Sequence, residues 1–196
     1  MAVRTVQQIS VKFNDPIRAS TKFLETLDDT YIADAKVDGW RVRVIKENGR
    51  IRSITKKFKS VDIGSDIIEE LSSLPDNTII EAEWVNRSRI TTLNNVYNKT
   101  INICNKLVVF DVIKWEGVMI AGDSINNRRK CPWYMKLPSS IDFMQSEHTV
   151  FSVYNVDRDF LNSYNEIITY FINEGVVVKK KSGDYNSTWV KVKNRE

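Results

Sequence analysis

Lys36-Val37-Asp38-Gly39-Trp40-Arg41 sets a primary amine, a carboxylate, a glycine and a guanidinium at fixed short offsets. A lysine amine is a nucleophile only once it has lost its proton, and nearby cations or removal from water favour that neutral form. The flanking runs, Tyr31 to Ala35 and Arg41 to Lys46, alternate as strands do, with Asp38-Gly39 as a turn signal between them. Lys36 is therefore expected near a strand end. Taken alone, the hexapeptide reads better as a solvated lysine beside an Asp-Gly turn, because Lys-x-Asp-Gly arises readily by chance.

Other stretches carry chemistry of the same kind. Glu83 lies between apolar neighbours in a predicted strand, and Phe110-Asp111 closes another. Glu174-Gly175-Val176-Val177-Val178-Lys179 precedes Trp189-Val190-Lys191-Val192-Lys193. With a period of two, Lys191 and Lys193 share one face of their strand. Two ammonium groups so placed repel each other unless an anion lies between or above them. An aromatic ring is a platform for a base, and a carboxylate beside a triphosphate can hold magnesium. Each residue also has an ordinary explanation: Glu83 as a strand-edge carboxylate, Phe110 as core, the lysines as a solvated face.

The elements that must position these groups are mostly strands. Residues 31–36, 41–46, 50–55, 78–85, 106–113, 176–178 and 189–193 read as strands, with Asn48-Gly49 as a type I′ hairpin turn. Ser65 is expected to cap a helix that buries Ile67, Ile68, Leu71 and Leu74. Asp157 is expected to cap another that buries Phe160, Leu161, Tyr164, Ile167, Ile168 and Phe171. Residues 126–136 are weakly helical, 21–27 are a short helical candidate, and the remainder of 1–30 is irregular. Hairpins outnumber βαβ units, which argues for an α+β fold on antiparallel sheets.

The 196 residues are 42% hydrophobic and 28% charged, an ordinary globular composition. No apolar run approaches a membrane span and no signal peptide is evident, so an intracellular protein without membrane contact is expected. The two cysteines, Cys104 and Cys131, are expected as reduced thiols, and the single histidine, His148, as a surface residue. One histidine argues against a histidine-rich metal site and most histidine-based triads. A net charge of +4 is mild, but Lys56, Lys57 and Lys59, then Arg128, Arg129 and Lys130, then the C-terminal lysines form clusters that suit a polyanion such as a phosphate backbone.

In this order and spacing, Lys36–Arg41, Glu81-Ala82-Glu83, Val109-Phe110-Asp111-Val112, Glu174–Lys179 and Trp189–Lys193 resemble the ordered motifs of the covalent nucleotidyltransferases. These are the ATP-dependent DNA ligases, RNA ligases and mRNA capping guanylyltransferases. The Trp-x-Lys-x-Lys ending and the region from Phe110 to Arg129 look most like a DNA ligase. The resemblance implies an ATP-grasp-like adenylation domain over residues 1–196, with two antiparallel β-sheets flanked by helices and the nucleotide pocket between them. It also implies that the following OB-fold domain is absent. Lys36 would attack the α-phosphate of ATP and carry AMP as a phosphoramidate, and Asp34 would meet the adenine amino group. Gly39, Arg41 and Glu83 would serve the ribose and phosphates, Phe110 would stack on adenine, and Glu174 with Glu83 would place Mg2+. Lys191 and Lys193 would contact the α-phosphate and lower the amine pKa of Lys36. Lys56 stands where the family has an arginine, and lysine lacks its bidentate fork. The implied partner is nicked double-stranded DNA, bound by a monomer. NAD is not expected, because the short segment before Lys36 is unlike the domain that grips nicotinamide. An RNA ligase, a capping guanylyltransferase and a non-catalytic nucleic-acid-binding module are the alternatives.

Overall fold

The computed structural model describes residues 11–86, 105–143, 145–170 and 173–194. Two sheets carry nearly all of its regular structure. The five-stranded sheet contains β1 (Ile17–Ala19), β2 (Tyr31–Val37), β9 (Asn155–Val156), β10 (Asn173–Lys180) and β11 (Val190–Lys193), in the order β1-β11-β10-β2-β9. The six-stranded sheet contains β3 (Trp40–Glu47), β4 (Arg50–Thr55), β5 (Thr78–Asn86), β6 (Asn105–Trp115) and β7 (Val118–Met119), in the order β4-β3-β5-β6-β7, with β8 (Val150–Ser152) also paired to β6. Pairing is antiparallel except for β1 with β11 and β6 with β8, so each sheet is mixed by one short strand. The α+β architecture expected from the sequence is present, with those two parallel pairs added.

Strict alternation on the central strands sorts their side chains. In the five-stranded sheet, Ala33, Ala35, Val176, Val178 and Val192 pack against helix α4 (Phe160–Ile167). Their neighbours Asp34, Lys36, Val177, Lys179, Lys191 and Lys193 point the other way, into a cavity. In the six-stranded sheet, Val42, Val44, Ile80 and Ala82 pack against helix α1 (Ser65–Glu70) and the turn after it. The opposite face buries Ile45, Ile79 and Ile113 against Tyr185 and Trp189 at the base of the cavity. One apolar face per sheet is thus covered by a helix, and the charged faces meet each other.

Several local expectations are corrected. Asp38-Gly39 joins two strands that do not pair: β2 lies in one sheet and β3 in the other. The turn is a crossing between walls, not a hairpin. Asn48 and Gly49 both have positive φ (52° and 71°), as a type I′ hairpin requires. Ser65 is the first residue of α1 and does not cap it; Gly64 precedes the helix, and its N–H is held by Asp62 at 2.9 Å. Helix α4 begins after Asp159, whose left-handed backbone (φ 48°) starts the turn two residues later than Asp157 would have done. Residues 126–136 form two helices, α2 (Ile125–Arg128) and α3 (Pro132–Met135), because Pro132 cannot continue the first and is well suited to begin the second. Residues 21–26 form a 3₁₀ helix. His148 is exposed, Cys131 is a buried free thiol, and Cys104 lies outside the described residues.

Candidate active site

The two sheets enclose a cavity of about 750 Å³. Lys36, Asp34, Gly39, Arg41, Lys56, Glu83, Phe110, Lys191 and Lys193 all line it. Glu174, the remaining residue singled out in the sequence, stands at its edge and is ion-paired to two of the lysines.

Glu174 owes its position to a bulge. Asn173 pairs with Val37 and Gly175 with Lys36, so Glu174 is an extra residue on β10 with no partner on β2. Bulges re-aim a side chain next to the ladder they interrupt, and this one turns the carboxylate onto its neighbours. Lys36 Nζ donates to Glu174 Oε1, and Lys193 Nζ donates to Oε2 at 3.2 Å. Gly175 lies between Lys36 on one side and Lys193 on the other. Its φ is +148°, and a Cβ there would fall 1.9 Å from the Val192 carbonyl oxygen, so only glycine fits. Burial pushes the Glu174 carboxyl up, but Lys36 and Lys193 together outweigh it and hold the group below the usual carboxylate range.

Phe110 occupies the corresponding position in the other sheet. Glu81 pairs with Asp111 and Ala82 with Val109, leaving Phe110 as the extra residue of a bulge on β6. Its ring enters the cavity and meets Trp189 edge to face, with centroids 6.3 Å apart. The Arg41 guanidinium lies 5.3 Å from the Phe110 centroid and the Lys179 ammonium 5.0 Å. The carbonyl freed by the bulge accepts from Arg129, from Nη2 at 2.8 Å and from Nε at 3.1 Å.

Asp34 is in the cavity wall as expected, but both of its oxygens are already held. Arg129 donates to them through Nη1 and Nη2 at 2.8 and 2.6 Å, and Lys179 approaches Oδ2 at 2.7 Å. Burial alone would raise the Asp34 carboxyl, yet these two cations keep it below its ordinary value. Of the run Arg128-Arg129-Lys130, which the sequence suggested as a cluster for a polyanion, only Lys130 is exposed. Arg128 is fully buried and clasps Asp111 through Nε at 2.7 Å and Nη2 at 2.9 Å, and Arg129 joins Asp34 to the Phe110 carbonyl. Lys179 is likewise buried. A buried guanidinium must be paired because the cost of desolvating it alone is prohibitive. Asp111 and Asp34 supply that pairing.

At the opposite wall, Gly39 N–H donates to Glu83 Oε1 at 3.0 Å. A Cβ on Gly39 would lie 2.5 Å from the Trp84 carbonyl oxygen, so the approach again requires glycine. Burial raises the Glu83 carboxyl to about 7, against the opposing pull of Lys36 and Arg41. Glu81, two residues earlier on the same face, is fully buried and accepts from Arg41 Nη2 and Arg43 Nη2, each at 2.5 Å, and from the Tyr185 hydroxyl at 2.5 Å. Asn14 fastens the N-terminal segment here, donating to the carbonyls of Tyr185 and Ser187 at 2.7 and 2.8 Å and accepting from Arg41. Lys56 is half-exposed at the rim and pairs with Asp15.

Sequence reasoning missed Arg129, Tyr185 and Asn14 as parts of this site. For Lys179 a signal was present: a period of two from Val177 places it on the cavity face. For the other three, a principal partner lies 95, 104 or 171 residues away in sequence, and no local pattern marks them.

Two sheets that face each other with charged inner surfaces, a lysine at one end of the gap and aromatic rings at the other, define a nucleotide-binding fold of the nucleotidyltransferase type. Residues 13–193 match the family described as ATP dependent DNA ligase domain, and the chain belongs to that family. No curated protein matches it by sequence. Among solved structures it is similar to a mycobacterial DNA ligase D complexed with ATP and MES, with a TM-score of 0.67 and 14% identity, covering 95% of this chain and 61% of that one. It is also similar to a Chlorella virus DNA ligase-adenylate (TM-score 0.57, 15% identity, 93% of this chain and 68% of that one). An archaeal ATP-dependent RNA ligase matches comparably (TM-score 0.56, 14% identity, 94% and 48%). The chain thus spans less than two thirds of the ligase D structure it matches.

Proposed function

We propose that this chain is the catalytic core of an ATP-dependent DNA ligase that works through a lysyl-AMP on Lys36. The observation that carries this reading is the convergence of Lys36, Lys193 and Glu174 at one end of a cavity whose other end is aromatic. An amine beside an ammonium and a carboxylate is suited to a phosphoanhydride, and the rings to a purine.

In the first step Lys36 Nζ bonds to the α-phosphorus of ATP while the bond to the bridging oxygen of the β-phosphate breaks and pyrophosphate leaves. The amine proton passes to Glu174, which already accepts its hydrogen bond, and from there to water. Lys191 and Lys193 balance charge that grows on the phosphate oxygens, and such pre-positioned cations supply much of the catalysis in phosphoryl transfer. In the second step an oxygen of a 5′-phosphate at a nick attacks the same phosphorus, and Lys36 takes back a proton as the N–P bond breaks. In the third the 3′-hydroxyl oxygen bonds to the phosphorus of the 5′-phosphate as its proton is lost to water, and the bond from that phosphorus to the oxygen bridging it to AMP breaks, releasing AMP. Among the described residues no cluster of three His, Cys, Asp or Glu side chains could cage a metal. Glu83 and Glu174 instead suit a magnesium ion that keeps most of its oxygens from phosphate and water. Such an ion would neutralise the departing pyrophosphate.

Incubation with α-labelled ATP or GTP, followed by denaturing electrophoresis, tests the first step. Label should enter the wild-type chain from ATP, and Lys36→Ala should lose it by about three orders of magnitude or more, as removal of a covalent nucleophile does. Equal labelling of Lys36→Ala, or labelling from GTP alone, would overturn the reading. The similarity to the RNA ligase makes substrate choice a separate measurement: nicked duplexes with DNA or RNA at the break should show faster sealing of DNA.

A further inference from the structure

We infer that Arg129 is the residue that sets the base end of this cavity, by clamping Phe110 and Asp34 to each other across the two sheets. The inference rests on the nucleotide reading above. A single guanidinium donates to the bulge carbonyl of Phe110 on β6 and, through both terminal nitrogens, to the carboxylate of Asp34 on β2. Phe110 belongs to the six-stranded sheet and Asp34 to the five-stranded one. The stacking ring and the polar group nearest the base are thus held at a fixed separation by a side chain that is itself buried. Without it the Phe110 carbonyl would lose both of these bonds, and Asp34 would keep only Lys179. A bulge residue has no ladder partner to hold its carbonyl, and a buried carboxylate that loses one of its two counter-charges is freer to turn.

The geometry also limits what Asp34 can do. Both oxygens accept from Arg129, and Oδ2 also meets Lys179. Lys179 Nζ lies 4.0 Å from the Trp189 ring centroid and faces the same space as Phe110. A base entering here meets a carboxylate whose orientation is dictated by Arg129, flanked by an ammonium. Arg129 is a positioning residue: it is placed to act on the base through Phe110 and Asp34, not to touch the reacting phosphorus at the Lys36 end.

Arg129→Lys separates this role from a purely structural one, because it keeps the buried positive charge while removing the fork. Binding of ATP and GTP should be followed by tryptophan fluorescence, since Trp189 packs edge-on against Phe110. This readout needs no covalent step. Arg129→Lys should weaken ATP binding by about tenfold or more, change GTP binding by less than about threefold, and so erase most of the base preference. Asp34→Asn, which keeps shape and loses charge, should give the same pattern, and the double variant should be no worse than either single one. If Arg129→Lys weakens ATP and GTP equally, or leaves both unchanged, Arg129 does not set the base end and the inference fails while the ligase reading stands. If the wild-type chain binds neither nucleotide, both fail together.

Discussion

Each sheet contributes a bulge to the cavity, and the two are built differently. At Phe110 the extra residue sits in the middle of the longest strand, its carbonyl fixed by a guanidinium and its ring against Trp189. At Glu174 the extra residue lies at the start of β10, and its carboxylate is held by two lysine ammonium groups that remain partly exposed. One end is secured by directional bonds to buried groups. The other is secured by ion pairs that an incoming phosphate can exchange. The difference suits a site that must keep one geometry for a flat base while re-sorting its charges as a phosphorus centre changes partners.

Gly175→Ala is the most severe test of that contrast. The added methyl would collide with the Val192 backbone, straightening the bulge or pushing β11 away. Self-adenylation should fall by about a hundredfold or more, as misplacement near a reacting centre does, and the melting temperature should drop in the same protein. Normal adenylation by a well-folded Gly175→Ala chain would show that the bulge is not needed to aim Glu174.

A smaller effect is expected at the other bulge. Phe110→Ala should weaken ATP binding by roughly 1–3 kcal/mol, the value of one base–aromatic stack, with the rate at saturating ATP little changed. Should the rate at saturation collapse with the affinity, the two ends would not be separable as described.

A third effect, read on stability rather than on nucleotide handling, concerns Glu83, whose carboxyl is raised to about 7 by burial. A carboxyl raised on folding contributes fully only below its unfolded value near 4.5, and that contribution is lost as pH rises through 7. Without nucleotide, Glu83→Gln should therefore gain on the wild type as pH goes from 5 to 8, by up to about 3 kcal/mol or several degrees in melting temperature. An advantage that shrinks toward pH 8 would reverse the assigned sign.

Much of this site is legible in the sequence because its chemistry follows strand parity. Lys191 with Lys193 and Asp34 with Lys36 fall on single faces by counting in twos, and the structure keeps both pairs facing the cavity. What parity cannot reveal is a slip of one residue. Neither bulge leaves a compositional mark beyond the glycine after Glu174, so the aim of Phe110 and Glu174 had to come from the register. Adjacent arginines mislead for a related reason. Arg128 and Arg129 form a surface-like cluster in one dimension, but each has a buried aspartate on another strand in three. The Asp38-Gly39 turn was visible, yet a turn signal does not say whether its strands will pair, and here they part into separate sheets.

The pairing of β2 with β10 has a kinetic consequence. Lys36 and Glu174 are 138 residues apart in the chain, whereas β3 and β4 meet across a two-residue turn. The loop that must close before β2 gains its central neighbour is among the longest this chain can form, and closing entropy has to be met before the contacts repay it. The hairpins of the six-stranded sheet can assemble from local contacts, while the strand bearing the nucleophile waits for the last quarter of the polypeptide. The reactive end of the cavity is thus expected to be completed late in folding.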